Sequence, residues 1–178
     1  DFHLPNEAEQ LKPYIDFISV PAFLCSQSDM LIEAAKNFNL ISIKKGQFLS
    51  KEAASKIVDK IRNTNKNCKA YLVERGSCWG ENKLVIDFSN INFLKKYYNG
   101  VLLDGCHSTQ YSIDGFNLGN AELAKQYILS APIFKYDGVY LETHPNPKNA
   151  ISDQTSQIKL SEIENLFNLL KCVENQFH

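Results

Sequence analysis

The sequence predicts an α/β fold, a (β/α)8 (TIM) barrel that is incomplete in this chain, with about five complete strands. Three observations carry that expectation. Short apolar segments alternate with amphipathic ones at a spacing of roughly 25–35 residues, the beat of successive βα units. The segment between Gly100 and Gly105 is apolar up to Asp104 without alternation, as a strand covered on both faces reads. Parallel strands of this kind belong to a doubly wound sheet or to part of an eight-stranded barrel. No GxGxxG or GxxxxGK[ST] turn follows any of them, which weakens a nucleotide-binding sheet and favours the barrel. With 178 residues, 44% of them hydrophobic, the chain can bury one sizeable core, so residues 1–178 are expected to form a single domain.

The expected strands are Ile15–Val20, Leu40–Lys44, Lys69–Val73, Val101–Asp104 and Gly138–Glu142. Between the first two, Ser28-Asp29 precedes a helix running to about Phe38. Ser50 then caps a helix over Lys51–Arg62, where Ala53, Ala54, Ile57, Val58 and Ile61 make one apolar stripe at helical spacing. Helices are also expected over Asn90–Tyr97 and Ala121–Ala131. At the end, Ser161-Glu-Ile-Glu164 reads as a capping box opening an amphipathic helix through Leu166, Leu169, Leu170 and Val173.

A formal charge of −1 with scattered basic residues leaves no electrostatic footprint for nucleic acid or a membrane surface. Five cysteines, an odd number with no CxxC pair, argue against a disulfide framework or zinc finger and fit a reducing cytoplasm. No apolar run approaches the roughly 18 residues that span a bilayer, and no basic-then-apolar leader is present. Because the chain opens on Asp1-Phe2-His3, it is expected to be a piece whose beginning lies elsewhere.

The chemistry gathers at the strand ends. Lys44-Lys45-Gly46-Gln47 follows one strand, Glu74-Arg75-Gly76 the next, Asp104…His107…Gln110 another, and Glu142-Thr-His144-Pro-Asn-Pro the last. One charged pair after a strand is usually a solvated loop. Four in succession point to a site, because the carboxyl ends of barrel strands converge on one face. Lys44 and Arg75 supply positive charge and a forked donor for a phosphate or carboxylate. His107 and Glu142, with Asp153 in the following loop, supply nitrogen and oxygen ligands for a divalent metal such as Zn, Fe or Mn, and no organic cofactor is implied. Asp153 also fits a plain turn residue. His144, between two prolines, fits a loop tie better than a ligand. Cys106 reads as a thiolate ligand, a nucleophile or a small buried thiol, the last being the commoner role of such a residue.

At these residues the sequence resembles the 3-deoxy-D-manno-octulosonate 8-phosphate synthases, barrel enzymes related to the 3-deoxy-heptulosonate 7-phosphate synthases. The matching segments are Asp1-Phe-His3, Val20-Pro-Ala-Phe-Leu24 with Gln27 and Asp29, Ile43-Lys-Lys-Gly-Gln-Phe48, Glu74-Arg-Gly76 with Gly80, Asp104…His107…Gln110 and Glu142-Thr-His-Pro-Asn-Pro147. They keep the family's order across nearly the whole chain.

The resemblance implies condensation of phosphoenolpyruvate with D-arabinose 5-phosphate, releasing phosphate, on the way to the lipopolysaccharide sugar Kdo. It implies that Lys44, Gln47, Arg75, Gln110 and the backbone around Ala22 hold phosphoenolpyruvate, with catalytic roles for His107, Lys44 and Arg75. Asp1 and Phe23 are placed near the sugar phosphate, Phe23 across a subunit contact in a family tetramer. The segment Ile151–Ile158 is similar to the metal-dependent form, which makes His107, Glu142 and Asp153 metal ligands and leaves a fourth, a cysteine on the first barrel strand, outside this chain. Asp1–His3 then correspond to the end of the third strand. The sequence departs from the family in places: Ser26 stands where an arginine is expected, Leu118-Gly119-Asn120 replaces Gly-Gly-Arg, Gly46 stands for Pro and Glu74 for Asp. Loss of the two arginines leaves two other readings: an erythrose 4-phosphate-using heptulosonate synthase, and a non-catalytic barrel fragment with a structural or interaction role.

Overall fold

The computed structural model describes residues 1–78 and 82–177, so Gly80 of the family pattern lies outside the described residues. Helix α1 (Glu7–Leu11) precedes strand β1 (Ile18–Val20), α2 (Ser28–Asn37), β2 (Leu40–Lys44), α3 (Lys51–Thr64) and β3 (Lys69–Glu74). Then come β4 (Ser77–Cys78), β5 (Leu84–Val85), α4 (Ile91–Leu94), β6 (Gly100–Asp104), β7 (Tyr111–Ile113) and β8 (Phe116–Leu118). Helix α5 (Ala121–Ser130), β9 (Gly138–Tyr140), β10 (Thr143–His144), β11 (Ile158–Lys159) and α6 (Ile163–Phe177) complete the chain. Two compact units result: Asp1–Val73 with Ser89–Val101, and Glu74–Phe88 with the chain from Leu102 onward.

In the first unit β1, β2 and β3 are parallel neighbours, with Ile18 beside Ile41, Val20 beside Ile43, and Lys44 beside Val73. Ile41 and Ile43 point to one side of β2 and Ser42 and Lys44 to the other, and all four are buried. The residues from Ile41 to Lys44 therefore alternate apolar and polar, but with both faces covered the polar side is buried as well. Helix α2 buries Met30, Leu31, Ala34 and Ala35, and α3, packed beside it, buries Ala54, Ile57, Val58 and Ile61. The Ser50 hydroxyl accepts from the Ala53 N–H at 3.1 Å, the cap the sequence indicates.

Three boundaries in this unit shift. β1 starts at Ile18 rather than Ile15, because the chain leaving α1 is still in a turn closed by Tyr14 N–H on Leu11 C=O at 2.9 Å. Ser28 is the first residue of α2 rather than its cap; Gln27 sits at the cap position. The helix expected over Asn90–Tyr97 is α-helical only at Ile91–Leu94. Beyond it Lys96 bonds Phe93 and Tyr97 bonds Leu94, three-residue steps that tighten the chain out of α geometry.

In the second unit β6 runs parallel to β9, pairing Leu102 with Gly138 and Asp104 with Tyr140. β9 stops at Tyr140, short of the expected Glu142, because the next two-residue strand, Thr143–His144, pairs with Ile158–Lys159 instead. Cys106, Ala124, Ile128, Ile158 and Leu166 form the core against which α5 and α6 pack. The expected capping box at Ser161 does not form: Ser161 lies inside a 3-10 turn, Leu160–Glu162, that leads into α6. Glu162, the middle of that pattern, pairs with Lys125 of α5. Strands β1, β2 and β3 are parallel within the first unit and β6 and β9 within the second, and neither unit closes a barrel among the described residues. No helix among the described residues is long and apolar enough to cross a membrane.

Gly105, directly after β6, lets α5 approach the strand end. A Cβ there would lie 2.4 Å from Ile128 Cγ1 and 3.0 Å from the Ala124 carbonyl. Gly105→Ala is therefore expected to cost about 1–3 kcal/mol, read as a lower urea midpoint at unchanged slope. An unchanged midpoint would show that α5 does not pack there. Burial also divides the cysteines: Cys78 and Cys172 are exposed, whereas Cys25, Cys68 and Cys106 are buried. Desolvation pushes the Cys68 thiol up to about 11 and Cys106 to about 12. A thiol reagent is expected to label Cys78 and Cys172 in the native chain and the other three only after unfolding; fast native labelling of Cys106 would contradict its burial.

Candidate active site

The second unit builds a cluster of functional side chains from the end of β6 outward. His107 opens the 3-10 turn His107–Thr109 directly after that strand. Its orientation is set by Asp104, which is fully buried and accepts the His107 backbone N–H at 2.9 Å on Oδ1 and Nδ1 at 2.7 Å on Oδ2. Nδ1 is thereby tied to Asp104 and Nε2 faces the cluster. Nε2 is 3.3 Å from Glu142 Oε1 and 4.0 Å from Asp153 Oδ2. Burial opposes a charged imidazole, but hydrogen bonds to Asp104 and Glu142 outweigh it and raise the His107 pKa to about 9.

Each carboxylate is held by its own device. The Glu142 backbone N–H donates to Cys106 Sγ at 3.3 Å, and the thiol faces the Glu142 carbonyl at 3.6 Å. The same carbonyl accepts from Ile158 N–H at 3.0 Å. Glu142 therefore sits in the gap between β9 and β10 with its backbone pinned. Asp153 has a left-handed backbone, φ 53°, uncommon for a residue other than glycine. Its carbonyl accepts the N–H groups of Ser156 and Gln157, both at 3.0 Å, which fixes the turn that carries the carboxylate. Gln110 Nε2 donates to Asp153 Oδ1 at 2.7 Å, and Arg75 Nη2 donates to Gln110 Oε1 at 2.6 Å. Arg75 is buried; desolvation lowers its pKa, while Asp104, Asp153, Cys78 and Glu142 act to keep it charged.

One ligand atom each from His107, Glu142 and Asp153 lies within 4.8 Å of the others, close enough to share a divalent ion. The donor set, one imidazole and two carboxylates, fits such an ion, and Asp104 behind His107 is the outer partner that metal-bound imidazoles generally carry. The structure thus brings together five of the residues singled out in the sequence: Arg75, His107, Gln110, Glu142 and Asp153.

The remaining residues lie in the first unit. Lys44 Nζ pairs with Asp1 Oδ2 at 2.7 Å. Ala22 is buried, Gln47 is half-buried, and Phe23 is 69% exposed. Lys45, passed over in the sequence in favour of its neighbour, is as deeply buried as Lys44, at 2% exposure. Asp104 belongs in the sequence to the cluster at this strand end without a role of its own, which its i, i+3 spacing to His107 now gives it; Cys106 is the small buried thiol that is the commoner role of such a residue. His144 ties its loop, its Nδ1 accepting the Asn146 N–H at 3.0 Å. One family departure has a local use: Asn120 Oδ1 caps α5 through the Leu123 N–H at 2.9 Å; at Ser26 only the backbone carbonyl is engaged, by Lys60 Nζ at 2.9 Å.

A 2-dehydro-3-deoxyphosphooctonate aldolase of Desulfotalea psychrophila is 33% identical over 172 residues, which is 96% of this chain and 61% of the relative. Another from Synechococcus is 32% identical over 166 residues, 92% of this chain and 58% of the relative. The chain therefore spans about three fifths of the length of these curated relatives. The model of the DAHP synthetase I family matches residues 1–177. The chain belongs to the DAHP synthetase I family.

Proposed function

We propose that the protein serves the condensation of phosphoenolpyruvate with D-arabinose 5-phosphate to 3-deoxy-D-manno-octulosonate 8-phosphate and phosphate, in the metal-dependent form. The observation that supports it is the adjacency, within one unit, of a metal-ligand trio and a buried arginine joined to it through Gln110. We further place it in the cytoplasm, as part of a (β/α)8 barrel and a homo-oligomer, a tetramer by family.

In this reading His107, Glu142 and Asp153 hold a divalent ion, which when bound supplies Lewis-acid stabilisation of oxygen charge. Arg75 and Lys44 bind the phosphate and carboxylate of phosphoenolpyruvate and stabilise charge that builds as the reaction proceeds. Gln47, Gln110 and the backbone around Ala22 orient the same substrate, and Asp1 and Phe23 flank the sugar phosphate. C3 of phosphoenolpyruvate attacks the aldehyde carbon, water adds at C2, and the resulting phosphohemiketal breaks its C–O bond to release phosphate and leave the 2-keto acid. Burial of Arg75 and His107 keeps water from screening these charges.

The test is phosphate release by this chain with phosphoenolpyruvate and each of two aldoses, with and without chelator. Chelator-sensitive release that requires arabinose 5-phosphate is expected. Release with erythrose 4-phosphate instead would assign a heptulosonate synthase. No release with either would leave the chain a structural or interaction module, the reading that Ser26 and Asn120, in place of sugar-phosphate arginines, favour.

A further inference from the structure

Arg75 and Asp153 carry opposite charges at the two ends of one neutral side chain. Gln110 accepts from Arg75 Nη2 at 2.6 Å and donates to Asp153 Oδ1 at 2.7 Å. The chemistry fixes which end is which, because a guanidinium only donates and a carboxylate only accepts. The Gln110 backbone is held as well: its N–H donates to the His107 carbonyl at 3.1 Å, and its carbonyl accepts the Leu84 N–H at 3.1 Å. The Asp153 backbone is equally fixed, by its left-handed conformation and two hydrogen bonds to its carbonyl.

We propose that Gln110 is a positioning residue that works as an insulating spacer, keeping the Arg75 guanidinium from closing on the Asp153 carboxylate. A long cation and a carboxylate facing each other in a half-buried site would otherwise form a direct, bidentate ion pair. That pair would take the carboxylate away from the metal and the guanidinium away from an anionic substrate. The amide prevents this by giving each charge a hydrogen bond while carrying none itself. Asp153 Oδ2 is then left turned towards His107 Nε2, at 4.0 Å. Glutamate at position 110 could not do this, because it accepts from Arg75 but repels Asp153. Alanine would leave the gap for Arg75 to cross.

The inference rests on the metal-dependent reading, and the test separates the two. Co²⁺ is titrated into the full chain, following calorimetry and the visible bands of the bound ion, which report coordination geometry. The unsubstituted chain binds Co²⁺ if His107, Glu142 and Asp153 are ligands; no binding overturns the metal reading and this proposal with it. Gln110→Ala is expected to weaken Co²⁺ binding about 10–100-fold, the range for outer partners of metal ligands. The distinguishing measurement is Gln110→Ala with Arg75→Met. With no guanidinium to close on Asp153, affinity is expected to return to within about threefold of Arg75→Met alone, about 0.7 kcal/mol. A purely structural role for Gln110 would give no such rescue. Full Co²⁺ affinity in Gln110→Ala, or a double variant as weak as Gln110→Ala, overturns the spacer while leaving the metal site standing. Circular dichroism and denaturation midpoints of each variant confirm that a folded chain is compared.

Discussion

Asp104→Ala is expected to weaken divalent-metal binding by about 10–100-fold and to lower the His107 pKa, although Asp104 touches no metal and no substrate. Asp104 is fully buried, and both its carboxylate oxygens are spent on His107, one on the backbone N–H and one on Nδ1. Removing them leaves two donors without their partner, each costing about 1–3 kcal/mol where water cannot replace it. It also frees the ring to turn, so Nε2 no longer faces Glu142 and Asp153. The pKa follows with a definite sign. In the native chain burial lowers it and the carboxylates raise it, the net being an upward shift from 6.5 to about 9. With Asp104 gone the strongest raising partner disappears while burial and Glu142 remain, so the value is expected to fall below about 9. Titration of the His107 ring protons by NMR in metal-free protein reads this directly. A pKa still near 9 in Asp104→Ala would show that Glu142 alone holds the charge. Asp104→Asn is the milder change: its amide oxygen can still accept from one donor, so it is expected to fall between the native chain and the alanine variant.

That a residue so decisive is read from the sequence only as a strand end shows where legibility stops. The order of strands and helices is legible because each rests on local chemistry: Ser50 on its capping bond to Ala53, the stripe Ala54–Ile57–Val58–Ile61 on burial of one helix face, β6 on the apolar run Val101–Leu103. The ligand trio is legible as chemical types at strand ends, and as a pattern shared with a family. What spacing does not encode is which partner a side chain finds. Ser161 has the pattern of a cap, but a 3-10 turn absorbs it and Glu162 goes to Lys125. The short hairpins β4–β5 and β7–β8 carry too few residues for a period to be read. Cys106 looks like any small thiol until Glu142, 36 residues later, is found with its backbone resting on it. Contacts between residues far apart in the chain depend on the whole fold, and no local rule anticipates them.

Arg75→Met is expected to separate the two ligands proposed for the site, weakening phosphoenolpyruvate binding while leaving or strengthening that of a divalent ion. Three carboxylates, those of Asp104, Asp153 and Glu142, act on the Arg75 guanidinium, and its burial opposes the charge that they favour. Such a group is retained in a buried place at a cost, and a multiply charged anion is the partner that best repays it. Losing one member of a buried, hydrogen-bonded charge pair costs about 2–5 kcal/mol, so phosphoenolpyruvate affinity should drop by a factor of about 30 or more. The same change removes a positive charge from beside the ligand trio. A divalent ion then meets less repulsion, and its affinity is expected to hold or rise. Arg75→Lys keeps the charge but not the planar fork, so it should recover only part of the anion binding. Equilibrium titrations of phosphoenolpyruvate and of the metal, run on each variant, check both directions. Unchanged phosphoenolpyruvate binding in Arg75→Met would remove Arg75 from the anion site. A parallel loss of metal affinity would mean instead that the guanidinium holds Gln110 and Asp153 in place, and that its role is to build the metal site rather than to meet the substrate.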